Sequence, residues 1–134
     1  MTNEEKVQHW IRLSEYDLDT AEAMLTTKRY LYVAFTCQQA IEKIFKAYYV
    51  KIKNDEPIFT HDLLRLAEIS GFFDLLTVEQ RKFADTLNTF YIKTRYQEYK
   101  SNVAKTLTYD ICVELLKQTK NMHEWTKEKI SSVK

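Results

Sequence analysis

The chain has 134 residues, 45% of them hydrophobic and 29% charged, with a formal charge of +1 at neutral pH. That is enough for a single domain spanning 1–134 with a core of its own, and it gives no overall electrostatic pull toward nucleic acid or membrane. One Gly and one Pro leave almost no turn formers, which argues against a turn-rich β protein or a Gly-rich phosphate loop and for helices.

Thr2 and Glu5 have the spacing of a capping box, and the first helix is expected to run from there to about Thr26. Its inner stripe is Val7, Ile11, Ser14, Leu18, Ala21 and Leu25, flanked by Trp10 and Met24, with Asp17 as a carboxylate that needs a partner. The charges at Glu4, Glu5 and Lys6 are followed by no apolar run, so neither a signal peptide nor a membrane span is visible and a cytoplasmic location is expected. Thr27-Lys28-Arg29 is a short break, which predicts an antiparallel hairpin with the next helix.

That second helix, Leu31 to Lys53, has the widest apolar arc in the chain: Cys37, Ala40, Ile41, Ile44, Phe45, Ala47 and Tyr48. An arc this wide touches several neighbours and predicts a central position in a bundle. The opposite arc carries Gln38, Gln39, Glu42, Lys43 and Lys46, with Glu42 four residues before Lys46 in the favourable order. Two readings stay open for it, a solvated surface or the lining of a groove.

Asn54 to Phe59 is a charged linker holding the only proline. Thr60 can cap a shorter helix through Ile69, with Leu63, Leu64, Leu66 and Ala67 inward and Gly71 as a left-handed stop. The apolar run Phe72, Phe73, Leu75 and Leu76 can cover the end of the bundle or serve self-association. Thr77 and Gln80 repeat the capping-box spacing, before a stripe of Phe83, Ala84, Leu87, Phe90, Tyr91 and Thr94. An aromatic, charged turn from Arg95 to Lys100 follows, with Ser101 or Asn102 as cap of a last helix whose stripe is Ala104, Leu107, Ile111, Leu115, Met122 and Trp125; beyond Glu128 the tail is expected to fray. The sum is an all-α, up-and-down four-helix bundle with a short additional helix in the long connection.

Cys37 and Cys112 sit in apolar helical patterns, as reduced core thiols do. No group of His, Cys and carboxylates has metal-ligand spacing on one face, and no cofactor is expected. His61 beside Asp62 reads either as half of an acid/base dyad or as first-turn capping. His9 and His123 are expected at the surface. Arg95 can hold a phosphate bidentately and Tyr96 or Tyr99 can stack on a base; equally, Arg95 can meet helix-end carbonyls while the tyrosines pack.

Trp10 with Asp17-Leu18 and Ala21, then Gln39-Ala40-Ile41-Glu42-Lys43 with Lys46-Ala47, then Thr60-His61-Asp62-Leu63, then Arg95-Tyr96 resembles the HEPN family in order and spacing. The likeness extends over nearly the whole chain. This family is named for nucleotide binding in higher eukaryotes and prokaryotes. The resemblance implies a bundle that forms a homodimer, often beside a minimal nucleotidyltransferase in a prokaryotic, toxin–antitoxin-like two-gene module, and several relatives are metal-independent RNases. The RNase branch uses an arginine followed after four to six residues by a histidine. No arginine here meets that pattern; counted from Arg95, the end of the window is Asn102, whose amide cannot shuttle a proton near neutral pH.

The expected function is therefore a nucleotide- or RNA-phosphate-binding subunit. Arg95 and Lys46 would be its cations, Glu42 would orient Lys46, Tyr96 or Tyr99 would stack or offer a hydroxyl, and His61 and Asn102 would be nearby. The alternatives are a divergent RNase, with His61, Arg95 and Tyr99 as catalytic candidates, and a purely structural dimerisation module.

Overall fold

The computed structural model describes residues 1–93 and 105–133, and all regular secondary structure among them is helical. Helix α1 spans Asn3–Thr26 and opens on the expected capping box, with Thr2 and Glu5 each satisfying the other's backbone N–H. Lys28 takes a left-handed φ of 61° in the break, and α2 follows over Tyr30–Lys53. The two helices run antiparallel. Asn3 Nδ2 at the start of α1 donates to Val50 O near the end of α2, and Ser14 Oγ donates to Ala40 O at mid-length.

Helix α3 spans Leu63–Ser70, α4 Val78–Lys93 and α5 Tyr109–Ser132. α2 packs against α1, α3, α4 and α5 alike, as its wide apolar arc requires. It is in fact buried nearly all round. Besides Val33, Cys37, Ile41, Ile44 and Phe45, the polar residues Gln38, Glu42 and Lys46 are also inside, so the solvated-surface reading of that arc fails for its central three members.

Asp62, not Thr60, caps α3: its Oδ1 accepts from Leu64 N and Arg65 N. Thr60 acts one step earlier, its hydroxyl accepting from Asp62 N. Gly71 ends the helix at φ +82°, where a side chain would be strained. The apolar run beyond it is a lid on the core. Phe72 is wholly buried, its ring edge-on to Phe45 at 4.8 Å and to Tyr48 at 4.5 Å, while Leu75 remains about half exposed. Burial of such a ring contributes roughly 1.5–3 kcal/mol. α4 begins on the second capping box, Thr77 N donating to Gln80 Oε1 and Gln80 N to Thr77 Oγ1.

α5 departs from expectation in three ways. Its N-cap is Thr108, whose Oγ1 accepts from Ile111 N; the proposed caps Ser101 and Asn102 lie outside the described residues. Its buried face is Cys112, Leu115, Leu116, Thr119, Met122, His123, Thr126 and Ile130, which turns Ile111 outward at 49% exposure. It also stays helical to Ser132, because Ile130 packs in the core instead of leaving the tail to fray. His123, expected on the surface, is 2% exposed. Both cysteines are free and buried, and burial pushes the thiol of Cys37 up to about 12 and that of Cys112 up to about 11, so neither is a thiolate at neutral pH. Asp17 finds its partner in Lys43, although burial still raises its carboxyl above the ordinary value. Among the described residues no helix is long and apolar enough to cross a membrane.

Candidate functional site

The polar arc of α2 builds a connected set of side chains. Gln38, Glu42 and Lys46 recur every fourth residue, so they stand one above another on one face of the helix. Lys46 Nζ donates to Glu42 Oε2 at 3.0 Å and lies 5.5 Å from the centre of the Trp10 ring, so its charge is met by a carboxylate and by a π face. Gln38 Nε2 donates to Glu42 Oε1 at 3.3 Å and to the carbonyl of His61 at 3.1 Å. The other contact on Glu42 Oε1 is His61 Nδ1, at 2.8 Å. A carboxylate only 4% exposed is thus held by an ammonium, an amide and an imidazole, the paired and hydrogen-bonded condition that a buried charge requires.

His61 carries this buried set to the surface. Its side chain is 31% exposed, and its ring stacks on Tyr91 of α4 at 3.9 Å with Phe59 edge-on at 5.3 Å. Tyr91 in turn stacks with Phe35 of α2 at 6.1 Å. With Nδ1–H donating to Glu42, the neutral ring presents Nε2 as its acceptor. Beside it opens a cleft of about 320 Å³ lined by His61, Asp62, Asn88 and Tyr91. Asn88 fixes one wall, donating from Nδ2 to Asp62 Oδ1 and accepting Leu63 N at Oδ1. Phe59 is 91% exposed, an unusual position for an aromatic ring in a linker.

Of the residues singled out from the sequence, Glu42, Lys46 and His61 therefore come together. Glu42 orients Lys46, yet Lys46 is itself 7% exposed and sits behind the cleft, not in its mouth. Arg95, Tyr96, Tyr99 and Asn102 lie outside the described residues. The capping reading of this turn is the one observed, with Asp62 capping α3, and His61 is hydrogen-bonded to Glu42 instead of pairing with Asp62. Gln38 could have been found from its four-residue spacing to Glu42. Tyr91 and Asn88 carried no local signal toward His61, since only packing brings α4 there, whereas Phe59 precedes it by two residues and could have been found from that adjacency.

The HEPN domain family profile matches residues 7–130. The chain belongs to the HEPN domain family. A crystal structure of TT1696 from Thermus thermophilus superposes with a TM-score of 0.76 at 21% identity, covering 92% of this chain and 98% of that one, which shows a shared fold. No curated protein matches the chain. Within this HEPN domain no three His, Cys or carboxylate side chains among the described residues converge as a metal site.

Proposed function

We propose that this HEPN-domain protein is a nucleotide- or RNA-phosphate-binding subunit, acting as a homodimer beside a nucleotidyltransferase in a toxin–antitoxin-like module. The observation that carries the reading is the His61 ring at the edge of the cleft, fixed from behind by buried Glu42, stacked on Tyr91 and edge-on to exposed Phe59. The exposed Phe59 ring and the partly exposed imidazole offer a base a stacking surface, worth on the order of 1–3 kcal/mol per base. The ring nitrogen, Asp62 and Asn88 offer polar contacts, and Arg95 with Tyr96 or Tyr99 is assigned to the phosphate. Calorimetric titration with ATP and with a short single-stranded RNA tests this. Saturable binding that His61→Ala or Arg95→Ala weakens about tenfold is expected, and silence with both ligands leaves the purely structural dimerisation module. Self-association is supported by a groove between α4 and α5, lined among the described residues in part by Phe83, Leu115, Met122 and Trp125. Sedimentation velocity should give a dimer that Phe83→Asp dissociates.

One observation favours a second reading, a divergent metal-independent RNase. The Glu42–His61 hydrogen bond fixes the imidazole tautomer and leaves Nε2 able to take a proton from a 2′-hydroxyl, as a general base must. RNA cleavage that His61→Ala abolishes and Glu42→Gln slows would establish it; intact RNA after incubation with the unmodified protein removes it.

A further inference from the structure

A second cleft, of about 280 Å³, lies between α1 and α5, neither of which lines the cleft beside His61. α1 supplies Glu15, Asp19 and Glu22 at spacings of four and three, one helical face, and α5 supplies Lys120, His123 and Glu124 on the face opposite. Two ion pairs bracket it. Lys120 Nζ binds Glu22 Oε1 at 2.8 Å, and Lys127 Nζ binds Glu15 Oε2 at 3.0 Å.

Of the remaining lining, Leu18 is apolar and the polar side chains left between those pairs offer acceptors. Asp19 and Glu124 have no ion-pair partner among the described residues. His123, 2% exposed, forms the floor. Its Nδ1 lies 2.9 Å from Ser14 Oγ, and Ser14 donates its single proton to Ala40 O at 2.6 Å. Ser14 can therefore only accept from His123, which puts the ring hydrogen on Nδ1 and a lone pair on Nε2. That Nε2 is buried with no hydrogen-bond partner among the described residues. Glu15 Oε2, an acceptor as well, lies 4.0 Å away. Burial lowers the basicity of His123 below the ordinary imidazole value despite Glu15 and Glu124, which keeps the ring neutral near pH 7.

We propose that this cleft binds an aliphatic diamine or polyamine, one ammonium bridging His123 Nε2 and Glu15, the other meeting Asp19 and Glu124. The chemistry follows from the acceptors on the page: a buried nitrogen lone pair and unpaired carboxylates call for a ligand that brings N–H donors and positive charge. A single ammonium donating at about 2.9 Å to each of two acceptors spans a separation like that between Nε2 and Oε2. Lys120 and Lys127 already place primary ammoniums on carboxylates of this cleft, which shows the geometry it accepts. Glu15 is the movable wall, 44% exposed and tied only at its tip. A metal ion fits less well, since no three ligating groups converge among the described residues.

Titration calorimetry with putrescine and spermidine, in salt high enough to screen exposed charge, tests the proposal. One site per chain is expected, weakened at least tenfold by His123→Leu and by the surface double substitution Asp19→Asn/Glu124→Gln. In the unmodified protein the nitrogen resonance of His123 Nε2 should move on adding putrescine, a readout that does not depend on any variant folding. The absence of saturable heat, an unmoved Nε2 resonance, or equal binding by folded His123→Leu would each overturn the assignment and leave the orphan nitrogen to a water molecule.

Discussion

Two buried polar groups press on different faces of α2, and they are treated in opposite ways. At Glu42 every strong contact is answered: Lys46, Gln38 and His61 all donate to one carboxylate, and the set reaches toward solvent through the partly exposed imidazole and through Gln39, which donates to Gln38. At Ala40 the chain Ser14–His123 is answered on one side alone, and Nε2 is left inside without a donor among the described residues. The first arrangement fixes a ring in one orientation; the second leaves one acceptor unanswered. Charge explains the difference, because an ionised carboxylate in the interior is tolerable only with complete pairing, whereas a neutral imidazole can forgo one bond at modest cost.

The sharpest way to break this contrast is to remove its most committed member. Glu42→Ala strands the Lys46 ammonium, and the loss should be about 3–5 kcal/mol in urea denaturation, the usual result of cutting one partner from a buried pair. A loss below about 1 kcal/mol would mean that the set is solvated in solution and the contrast is void. Asp62→Ala removes a cap and a contact to Asn88, and should cost about 1–2 kcal/mol by the same measurement. His123→Leu should change stability by no more than about 1 kcal/mol, since loss of the Nδ1–H bond to Ser14 is offset by removal of a buried acceptor that has no partner among the described residues, while Ser14 keeps its bond to Ala40.

His123 also sets a sign for pH. Its folded-state basicity is depressed from 6.5, so below about pH 6.5 the unfolded chain takes up a proton that the folded one refuses. Its contribution is complete above that pH and is lost as the pH falls toward the lower folded value. Stability followed from about pH 7 to about pH 5 should therefore decline, and less steeply in His123→Leu. The smallest effect is expected at Phe59→Ala, within about 0.5 kcal/mol because the ring is exposed, while nucleotide or RNA binding in the same variant should weaken severalfold.

Much of the architecture was legible in the residues. The capping boxes at Thr2 and Thr77, the stop at Gly71, the hub position of α2 and the Glu42–Lys46 pair were all readable from local spacing, because a helix brings residues three and four apart into contact wherever it lies. The candidate site was legible only in part. Spacing pairs Glu42 with Lys46 and leaves a groove open as one reading of their arc, but it does not show their burial, since Trp10 and the His61 segment arrive from far along the chain to cover them. On α5 the stripe through Ile111 misses the face that the helix buries, which turns Cys112 and His123 inward; with apolar residues on both sides of the boundary, periodicity alone leaves the face ambiguous by one position.

The sequence by itself determined that this protein is helical, where most of its helices start and stop, and that α2 must be central, because these follow from composition and from contacts within a turn or two of chain. Only the tertiary structure decided which charges became interior, that Glu42 and not Asp62 holds His61, and that His123 faces a cleft with an acceptor unanswered. Those outcomes depend on which side chains of other helices fill the space beside each polar atom, and no pattern within a single helix encodes its neighbours.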